Sequence, residues 1–343
     1  MSLTYGSSWP YLEDVTATLP NPPLPKVAFG LLAALCLAPL LPLRGEAASM
    51  VAPAALVGGA ALALTLGNPF AEGSKHAARW LLQASVVLLG FSMDLGKVAE
   101  AGRSGLVFSL VSIASVFALG WLLQRRLGIR PVTGLLVSAG TAICGGSAIA
   151  AVSSVVDAPE EDVSVAVGTV FLLNAIALLV FPPLGHLLGL GQRQFGVWSG
   201  IAIHDVASVV GAGASYGHEA LDVATAVKLS RVLYLVPITF LAAFVHARRS
   251  SGREKGERRA AQVPWFVGLF LLASGARSLF PAVVPLTGDV KRVAAAGFAL
   301  SLFLIGAALT RATLRSVGVR PLLLGSLLWA FVSVASLVAV RLG

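Results

Sequence analysis

Long apolar runs separated by short polar turns extend over nearly the whole chain. A helix needs about 20 apolar residues to cross the roughly 30 Å hydrocarbon core of a bilayer. The runs have helix length and lack the ten-residue alternation of an outer-membrane barrel. They predict an all-α polytopic membrane protein with about eleven transmembrane helices, ten being the alternative, at residues 26–43, 51–67, 76–95, 103–124, 132–153, 161–185, 196–215, 219–246, 263–280, 286–310 and 318–341.

Two of these runs are interrupted by glycine and polar residues, at Gly140–Ile149 and Gly200–Gly213. In hydrocarbon every backbone N–H and C=O group must be satisfied internally, so a broken helix survives only inside protein or beside a watery cavity. Transporters build binding sites from such breaks. We therefore predict discontinuous helices near 132–153 and 196–215, although the same glycines also suit a re-entrant loop.

The composition agrees with an integral membrane protein and leaves little room for another domain. Hydrophobic residues make up 57% of the 343 positions and charged residues 12%, far from the balance of a soluble domain. We predict a cytosolic N-terminal tail at 1–25, without the features of a secretory signal. Residues 26–343 then form a single transmembrane transporter domain, whose longest loop is the basic segment 247–262.

The net charge of +9 is explained by topology, because the basic residues cluster in three loops. With eleven crossings these loops share the side of the N-terminus, and the acidic turns 157–162 and 219–222 lie opposite. The positive-inside rule then predicts a bacterial inner-membrane protein with a cytoplasmic N-terminus and a periplasmic C-terminus. Contact with anionic lipid is favoured over nucleic-acid binding for the loop at 248–259. The basic residues are Arg125, Arg126 and Arg130; Arg248, Arg249, Arg253, Lys255, Arg258 and Arg259; and Arg311, Arg315 and Arg320.

The chain can also be compared with itself, because transporters often contain inverted repeats. At an offset of 216 residues, Ser85 and Gly90 align with Ser301 and Gly306 in helices predicted to be antiparallel. At an offset of 60 the first interrupted segment aligns with the second. The predicted topology makes those two segments parallel. The match, the crossing count or the assumption that both segments cross must therefore be wrong.

His204 and Asp205 are the sharpest candidates for chemistry, since ionisable residues inside a membrane are costly and mark functional sites. Both lie within the second interruption. Histidine changes charge near neutral pH and a neighbouring carboxylate tunes it, which predicts a proton or ion-coupling site. The alternative is structural, with Asp205 bonding the N–H groups that the helix break frees.

Lys228 and Arg231 share one face of the following helix. Counting 1.5 Å per residue from Asp222 places Arg231 about 14 Å deep, where it cannot easily reach water. We expect these cations to face a polar cavity and attract an anion. A buried pairing with Asp205 or with a backbone carbonyl is the alternative.

Gly145, Gly146 and Ser147 add unhindered N–H groups and a hydroxyl, and a half-helix beginning there would favour an anion. Asn174 is a lone amide in the sixth predicted span, where helix packing explains it equally well. Cys36 and Cys144 have no partners at metal-ligand spacing. No cofactor, metal or disulfide is predicted.

Several motifs can be compared with known families: Ile143–Ala148, His204–Val210, Lys228–Val232, Pro264–Phe266 and Leu89–Phe91. Together they resemble the YeiH-type membrane proteins, a family whose description names sulfate export, over nearly the whole chain beyond residue 50. The family shows a His-acidic-Val-Ala-Gln-Val-Val pattern at the second motif. Ser208 stands where that pattern has glutamine.

The resemblance extends distantly to bile acid and arsenite transporters and to sodium–proton antiporters. It implies a core of two crossing, discontinuous helices and a separate panel domain. It also implies that the substrate site is lined by Cys144, Gly145, Gly146, Ser147, His204 and Asp205, to which we add Ser208, Lys228, Arg231 and Asn174.

We therefore predict a secondary transporter of a small anion, a sulfate-like oxyanion or an organosulfur compound, working by alternating access. The chain lacks a phosphate-binding Gly-x-x-x-x-Gly-Lys-Ser/Thr loop, so a proton or sodium gradient would supply the energy, and a homodimer stays open. One alternative is a cation–proton antiporter that uses Asp205. Another is an intramembrane enzyme with Cys144 or Ser147 as nucleophile and His204 as base, although Gly146–Ser147 is not a nucleophile elbow.

Overall fold

The computed structural model describes residues 23–41, 46–249, 265–280, 285–309 and 317–342. These residues form helices and no strands. The helices are α1 (Pro23–Leu35), a short 3-10 helix (Ala38–Leu40), α2 (Glu46–Thr65), α3 (Ala71–Gly90), α4 (Leu95–Arg126), α5 (Pro131–Ala142), α6 (Gly146–Val155), α7 (Glu160–Leu187), α8 (Gln192–Ala202), α9 (Val206–Tyr216), α10 (His218–Val232), α11 (Leu235–Arg249), α12 (Trp265–Leu279), α13 (Thr287–Ala307) and α14 (Val319–Leu342).

The all-helical prediction is confirmed for the described residues. Most of the predicted tail, most of the basic loop and Arg311 with Arg315 lie outside them. Five described segments are long and apolar enough to cross a membrane, and further apolar helices are shorter. The five are Phe108–Arg126, Glu160–Leu187, His218–Ala242, Thr287–Ala307 and Val319–Leu342.

The first interrupted segment is a hairpin, here called hairpin 1 (residues 131–155). A Cβ atom built on Gly140 of α5 would lie 3.0 Å from Cδ1 of Ile149 of α6, so α6 folds back along α5. The Thr133 hydroxyl donates a hydrogen bond to Asp162, at the start of α7. Entry and exit of hairpin 1 therefore lie at the same end of the bundle, here called the Arg130 end.

The second interrupted segment is also a hairpin, here called hairpin 2 (residues 192–216). At its base, Oε1 of Gln192 accepts hydrogen bonds from the N–H groups of Glu219 and Ala220, at 3.0 and 3.4 Å. The Phe195 ring stacks on the Tyr216 ring with their centroids 3.8 Å apart. The start of α8 and the end of α9 thus lie together at the opposite end of the bundle, the Gln192 end.

Of the two alternatives that the sequence leaves for these segments, the structure therefore agrees with the re-entrant loop and not with a crossing of the bundle. Hairpin helices of 12 and 10 residues, about 18 and 15 Å long, reach only part of the way across. The 28-residue α7 between the hairpins runs from one end to the other. Hairpin 2 consequently enters from the end opposite to hairpin 1, and the two do not cross as spanning helices.

One charge prediction changes with this geometry. The acidic turn at 157–162 was expected opposite the basic residues at 125–130, but Nη1 of Arg130 lies 3.0 Å from Oε2 of Glu161 and 3.5 Å from Oδ1 of Asp162. The topological conflict in the 60-residue alignment disappears as well. The breaks at 143–145 and 203–205 align at that offset, and the aligned hairpins now point in opposite directions, as an inverted repeat requires. The repeat itself stays a prediction.

Helices α2, α3 and α13 pack into a layer against which hairpin 2 lies. The close approach of α2 and α13 depends on Gly59 and Gly306, because any side chain there would overlap the backbone of the other helix. Gly211 of α9 faces this layer, since a Cβ atom on it would lie 3.1 Å from Cδ1 of Leu302. The returning arm of hairpin 2 therefore lies between the layer and α7.

Candidate functional site

The tip of hairpin 1 consists of Ile143, Cys144 and Gly145, all buried. Gly145 has φ +68° and ψ −128°, a combination that only glycine adopts readily. A Cβ atom on Gly145 would lie 3.2 Å from Cβ of Asp205 at the tip of hairpin 2. The two hairpin tips, which enter from opposite ends, therefore meet inside the bundle.

The tip of hairpin 2 consists of Ile203, His204 and Asp205. Asp205 is the N-cap of α9: its Oδ1 accepts a 2.7 Å bond from the Ser208 N–H, and its Oδ2 a 3.0 Å bond from the Ser208 hydroxyl. The Asn174 Oδ1 atom of α7 accepts the N–H groups of His204 and Asp205, at 3.0 and 3.3 Å. The backbone freed by this break is thus satisfied by two polar side chains.

Lys228 and Arg231 reach the tip of hairpin 1 from α10. Both are 0% exposed. Nζ of Lys228 lies 3.4 Å from the Ile143 carbonyl, and Nη2 of Arg231 donates a 2.5 Å bond to the Ala142 carbonyl. These carbonyls end α5, where the helix dipole is negative and favours cations. The two cations therefore stabilise the broken end of α5.

Ser112 of α4 gives Arg231 a second hydrogen bond, because its hydroxyl accepts from Nη1 of Arg231 at 2.9 Å. The ion pairs of the described residues include none between Asp205 and either cation. Of the two structural alternatives for Arg231, the carbonyl is therefore the partner. Sequence reasoning missed Ser112, because a lone serine in an apolar helix carries no distinguishing signal.

The cluster has hydrogen-bonding capacity left over. Both ring nitrogens of His204, Nδ2 of Asn174 and Nε of Arg231 are buried without a hydrogen-bond partner among the described residues. The N-terminus of α6 has no side-chain cap, so its positive dipole end lies at the same tip. Two cations against one carboxylate leave this region with a formal charge of about +1, counting His204 as neutral.

The structure brings most of the predicted site residues together. Cys144, Gly145, His204, Asp205, Ser208, Asn174, Lys228 and Arg231 are buried at or beside the two tips, whereas Gly146 is half-buried and Ser147 is exposed. Away from the tips, Asp94 and Arg277 form a 3.1 Å ion pair. No group of three or more metal-ligating side chains occurs in the described part of the chain.

An all-helical, multi-pass membrane protein with a buried polar centre between two opposed hairpins is the class that these features define. The family described as "Conserved hypothetical protein 698" matches residues 28–325. The chain belongs to this family, the YeiH or UPF0324 membrane proteins, as its motifs predicted.

Its relatives are known as membrane proteins. The chain is 48% identical to the UPF0324 membrane protein of Porphyromonas gingivalis over 84% of this chain and 87% of that one. The UPF0324 membrane protein of Bdellovibrio bacteriovorus is 44% identical over 93% of this chain and 94% of its own. The one from Geobacter sulfurreducens is 42% identical over 84% and 90%. No solved structure matches the chain significantly.

Proposed function

We propose that this protein is a secondary transporter of a small anion, which binds where the two hairpin tips meet. The observation that carries the proposal is a buried cluster in which Lys228 and Arg231 outnumber the single carboxylate of Asp205. Charge buried in a membrane protein is costly unless it is paired or faces a polar cavity. A bound anion would supply the missing negative charge.

Lys228 is the best placed group to contact that anion. Its ammonium has three N–H donors, and the described residues give it one hydrogen-bond contact, with the Ile143 carbonyl at 3.4 Å, so donors remain for a ligand. The uncapped N-terminus of α6 offers backbone N–H groups at the same tip. Nδ2 of Asn174 is a further donor, and no described residue accepts a hydrogen bond from it. Several donors and a net positive charge suit an oxyanion of the sulfate, sulfonate or carboxylate type.

Arg231 and Asp205 receive structural roles in this proposal. Both terminal nitrogens of Arg231 donate hydrogen bonds, to Ala142 and Ser112. Both carboxylate oxygens of Asp205 accept hydrogen bonds from Ser208. They hold the hairpin tips in shape. This assignment also argues against a cation–proton antiporter, because the carboxylate that would carry the cation is already used as a helix cap.

His204 is then the candidate for proton coupling. It is 1% exposed, its two ring nitrogens have no partner among the described residues, and its neighbour Asp205 contacts α9 instead. Histidine is the side chain that ordinarily changes charge between pH 5 and 8. We propose that protonation of His204 accompanies the movement of the anion.

An intramembrane enzyme is less well supported by this geometry. A nucleophile, a base and a group that orients the base should form a hydrogen-bonded series. The described residues give His204 no bond to Cys144, Ser147 or Asp205. Ser147 is also exposed whereas Cys144 and His204 are buried.

A thermal-shift screen of the purified protein against sulfate, sulfonates and carboxylates tests the proposal. We expect at least one anion to raise the unfolding temperature of the parent protein, since a ligand that binds only the folded state stabilises it. Lys228→Met should abolish that shift. Lys26→Met, a matched change at an exposed lysine of α1, should retain it.

Sealed vesicles containing the protein distinguish transport from chemistry. Uptake of the stabilising anion without chemical change is the expected result. If no anion in the screen stabilises the protein, or if Lys228→Met binds as well as Lys26→Met, the proposed site is wrong. Turnover of the compound in detergent would favour the enzyme instead.

A further inference from the structure

A small cavity lies beside hairpin 2, between its returning helix α9 and the layer formed by α2, α3 and α13. Its volume is about 60 Å³. One wall carries Val210 and Ala214 of α9 with Leu221 of α10, and the facing wall carries Ala52 of α2 and Phe298 of α13. Since α9 runs from the hairpin tip to the Gln192 end, the cavity follows the line that a solute would take between that end and the tip.

Lys291 of α13 also lines the cavity, and its Nζ lies 3.7 Å from Oδ1 of Asp222 on α10. Both side chains are about one third exposed, so the pair stands where the cavity approaches solvent. Other ion pairs among the described residues lie at the Arg130 end, between α12 and the turn after α3, and within α13. This pair therefore ties the layer to α10 beside the cavity.

At Gly211, which also lines the cavity, α9 packs tightly against α7 and α13. A Cβ atom there would lie 2.8 Å from Cδ1 of Leu178 and 3.1 Å from Cδ1 of Leu302. Gly211 is five residues beyond the first residue of α9, which corresponds to about 8 Å along the helix. Side chains of α7 and α13 thus pack against α9 between Ala214 in the cavity wall and the hairpin tip.

We infer that this cavity is the closed access route from the Gln192 end to the hairpin tips, and that the Lys291–Asp222 ion pair is its outer clasp. The inference rests on the proposed transport function. Opening requires α13 to separate from α9 and α10, which breaks the ion pair and removes Leu302 from Gly211. The two constrictions then open together, because both involve α13.

Thiol labelling measures the opening without any substrate. Ala214→Cys places a thiol in the cavity wall, and a membrane-impermeant maleimide is applied to right-side-out and inside-out vesicles. The parent chain gives the background from its two buried cysteines. We expect slow labelling of Ala214→Cys from the Gln192 side, and labelling several-fold faster when Lys291→Met is added. Inside-out vesicles should show no such increase.

Arg292→Met is the matched control, because Arg292 pairs with Asp289 within α13, at 2.8 Å. It should leave the labelling rate unchanged. The exchange Asp222→Lys with Lys291→Asp should return the rate toward that of Ala214→Cys alone. An unchanged rate in Lys291→Met, or an equal increase in Arg292→Met, would overturn the clasp.

The outcome is separable from that of the proposed function. Faster labelling in Lys291→Met together with no stabilising anion would support the clasp and contradict anion transport. Anion binding that depends on Lys228, with the same labelling rate in all variants, would keep the transporter and remove the clasp.

Discussion

Arg231 shows how one side chain can satisfy two distant parts of a membrane protein. Its guanidinium donates to the end of α5 and to α4, which are 89 and 119 residues away in the sequence. A planar fork of donors suits this task better than a single ammonium. Lys228, three residues earlier, makes a longer contact with the next carbonyl of the same broken helix. The two neighbouring cations on one helix face therefore make different contacts: Arg231 bonds two helices, whereas Lys228 contacts one carbonyl.

Replacing Arg231 should destabilise the protein rather than only weaken a ligand. Arg231→Met leaves the Ala142 carbonyl and the Ser112 hydroxyl buried without this donor, at a cost of about 1–3 kcal/mol for each group left unpaired. The midpoint of thermal unfolding in detergent should fall clearly below that of Arg320→Met, which removes an exposed arginine.

The double variant Asp205→Asn with Arg231→Met tests whether these residues form a pair. Without a direct contact the two losses should add. A double variant more stable than Arg231→Met alone would instead indicate that Arg231 and Asp205 compensate each other.

Gly145 should tolerate no side chain. Gly145→Ala forces a Cβ atom into a backbone conformation that costs about 1–3 kcal/mol and presses it against Asp205. We expect lower thermal stability together with weaker anion binding, because the hairpin tips are pushed apart. Gly268→Ala, where a Cβ atom would meet no described residue within 4 Å, should match the parent in both measurements.

His204 should determine the pH dependence of transport. His204→Gln keeps a polar side chain of similar size but cannot change its charge. We expect proton-driven flux into vesicles to vary with pH in the parent, because histidine can change its charge, and to lose that variation in His204→Gln. Asp205→Asn retains an N-cap side chain and should keep the variation. Loss of proton-driven flux in a folded Asp205→Asn protein would assign coupling to the carboxylate instead.

At the scale of elements, the sequence predicted where the helices break but not where they go next. Glycine and polar residues in an apolar run indicate an interruption, and the breaks at 143–145 and 203–205 lie inside the predicted segments. The sequence of an interruption is the same whether the chain then continues across the bundle or folds back. The direction is decided by contacts such as Thr133 with Asp162, 29 residues apart, which no local pattern encodes.

The candidate site could likewise be predicted from the sequence only in part. Buried ionisable residues and flexible glycines could be selected from the sequence, because each is costly inside a membrane. The hydrogen-bond partners of these residues could not be predicted from the sequence. That Lys228 and Arg231 bond to α5, and that Asp205 bonds to Ser208, depends on which hairpin tip each residue meets.

The hairpins make a prediction that separates them from crossing helices. Cysteines introduced at Arg126 and Glu160 should react with an impermeant maleimide from the same side of the membrane. Cysteines at Gln192 and His218 should react from the other side. The contacts at each hairpin base require this pairing. Labelling of positions 126 and 160 from opposite sides would indicate that residues 131–155 cross the membrane.

At the scale of the whole molecule, replacing two crossings by two hairpins leaves the predicted orientation unchanged. Subtracting two from the eleven predicted crossings keeps the predicted number odd. The basic residues at 125–130 and Arg320 still lie at one end, since a Cβ atom on Gly128 would lie 3.6 Å from Nη1 of Arg320. Acidic residues count little in the positive-inside rule, so the turn at 157–162 does not disturb it.

Reporter fusions test that orientation. A reporter after Gly343 should behave as periplasmic and one within 250–257 as cytoplasmic, because Gly128, beside the basic residues at 125–130, and Arg320 lie together at the Arg130 end and basic residues mark the cytoplasmic side. Finding both reporters on one side would contradict an odd number of crossings. Finding the reverse arrangement would keep the hairpins and invert the protein.

The distance in sequence between hairpin 1 and its partners sets an order of assembly. The carbonyl of Ile143 is made 85 residues before the ammonium of Lys228 that contacts it. At roughly 5–20 residues per second of synthesis, the tip waits about 4–17 s for its cations. During that interval hairpin 1 is complete, but the carbonyls at the end of α5 lack their cationic partners. Carbonyls without hydrogen-bond partners are costly in hydrocarbon. Insertion of hairpin 1 therefore has to follow the arrival of α10, and a nascent chain stopped before residue 228 should leave it outside the bilayer.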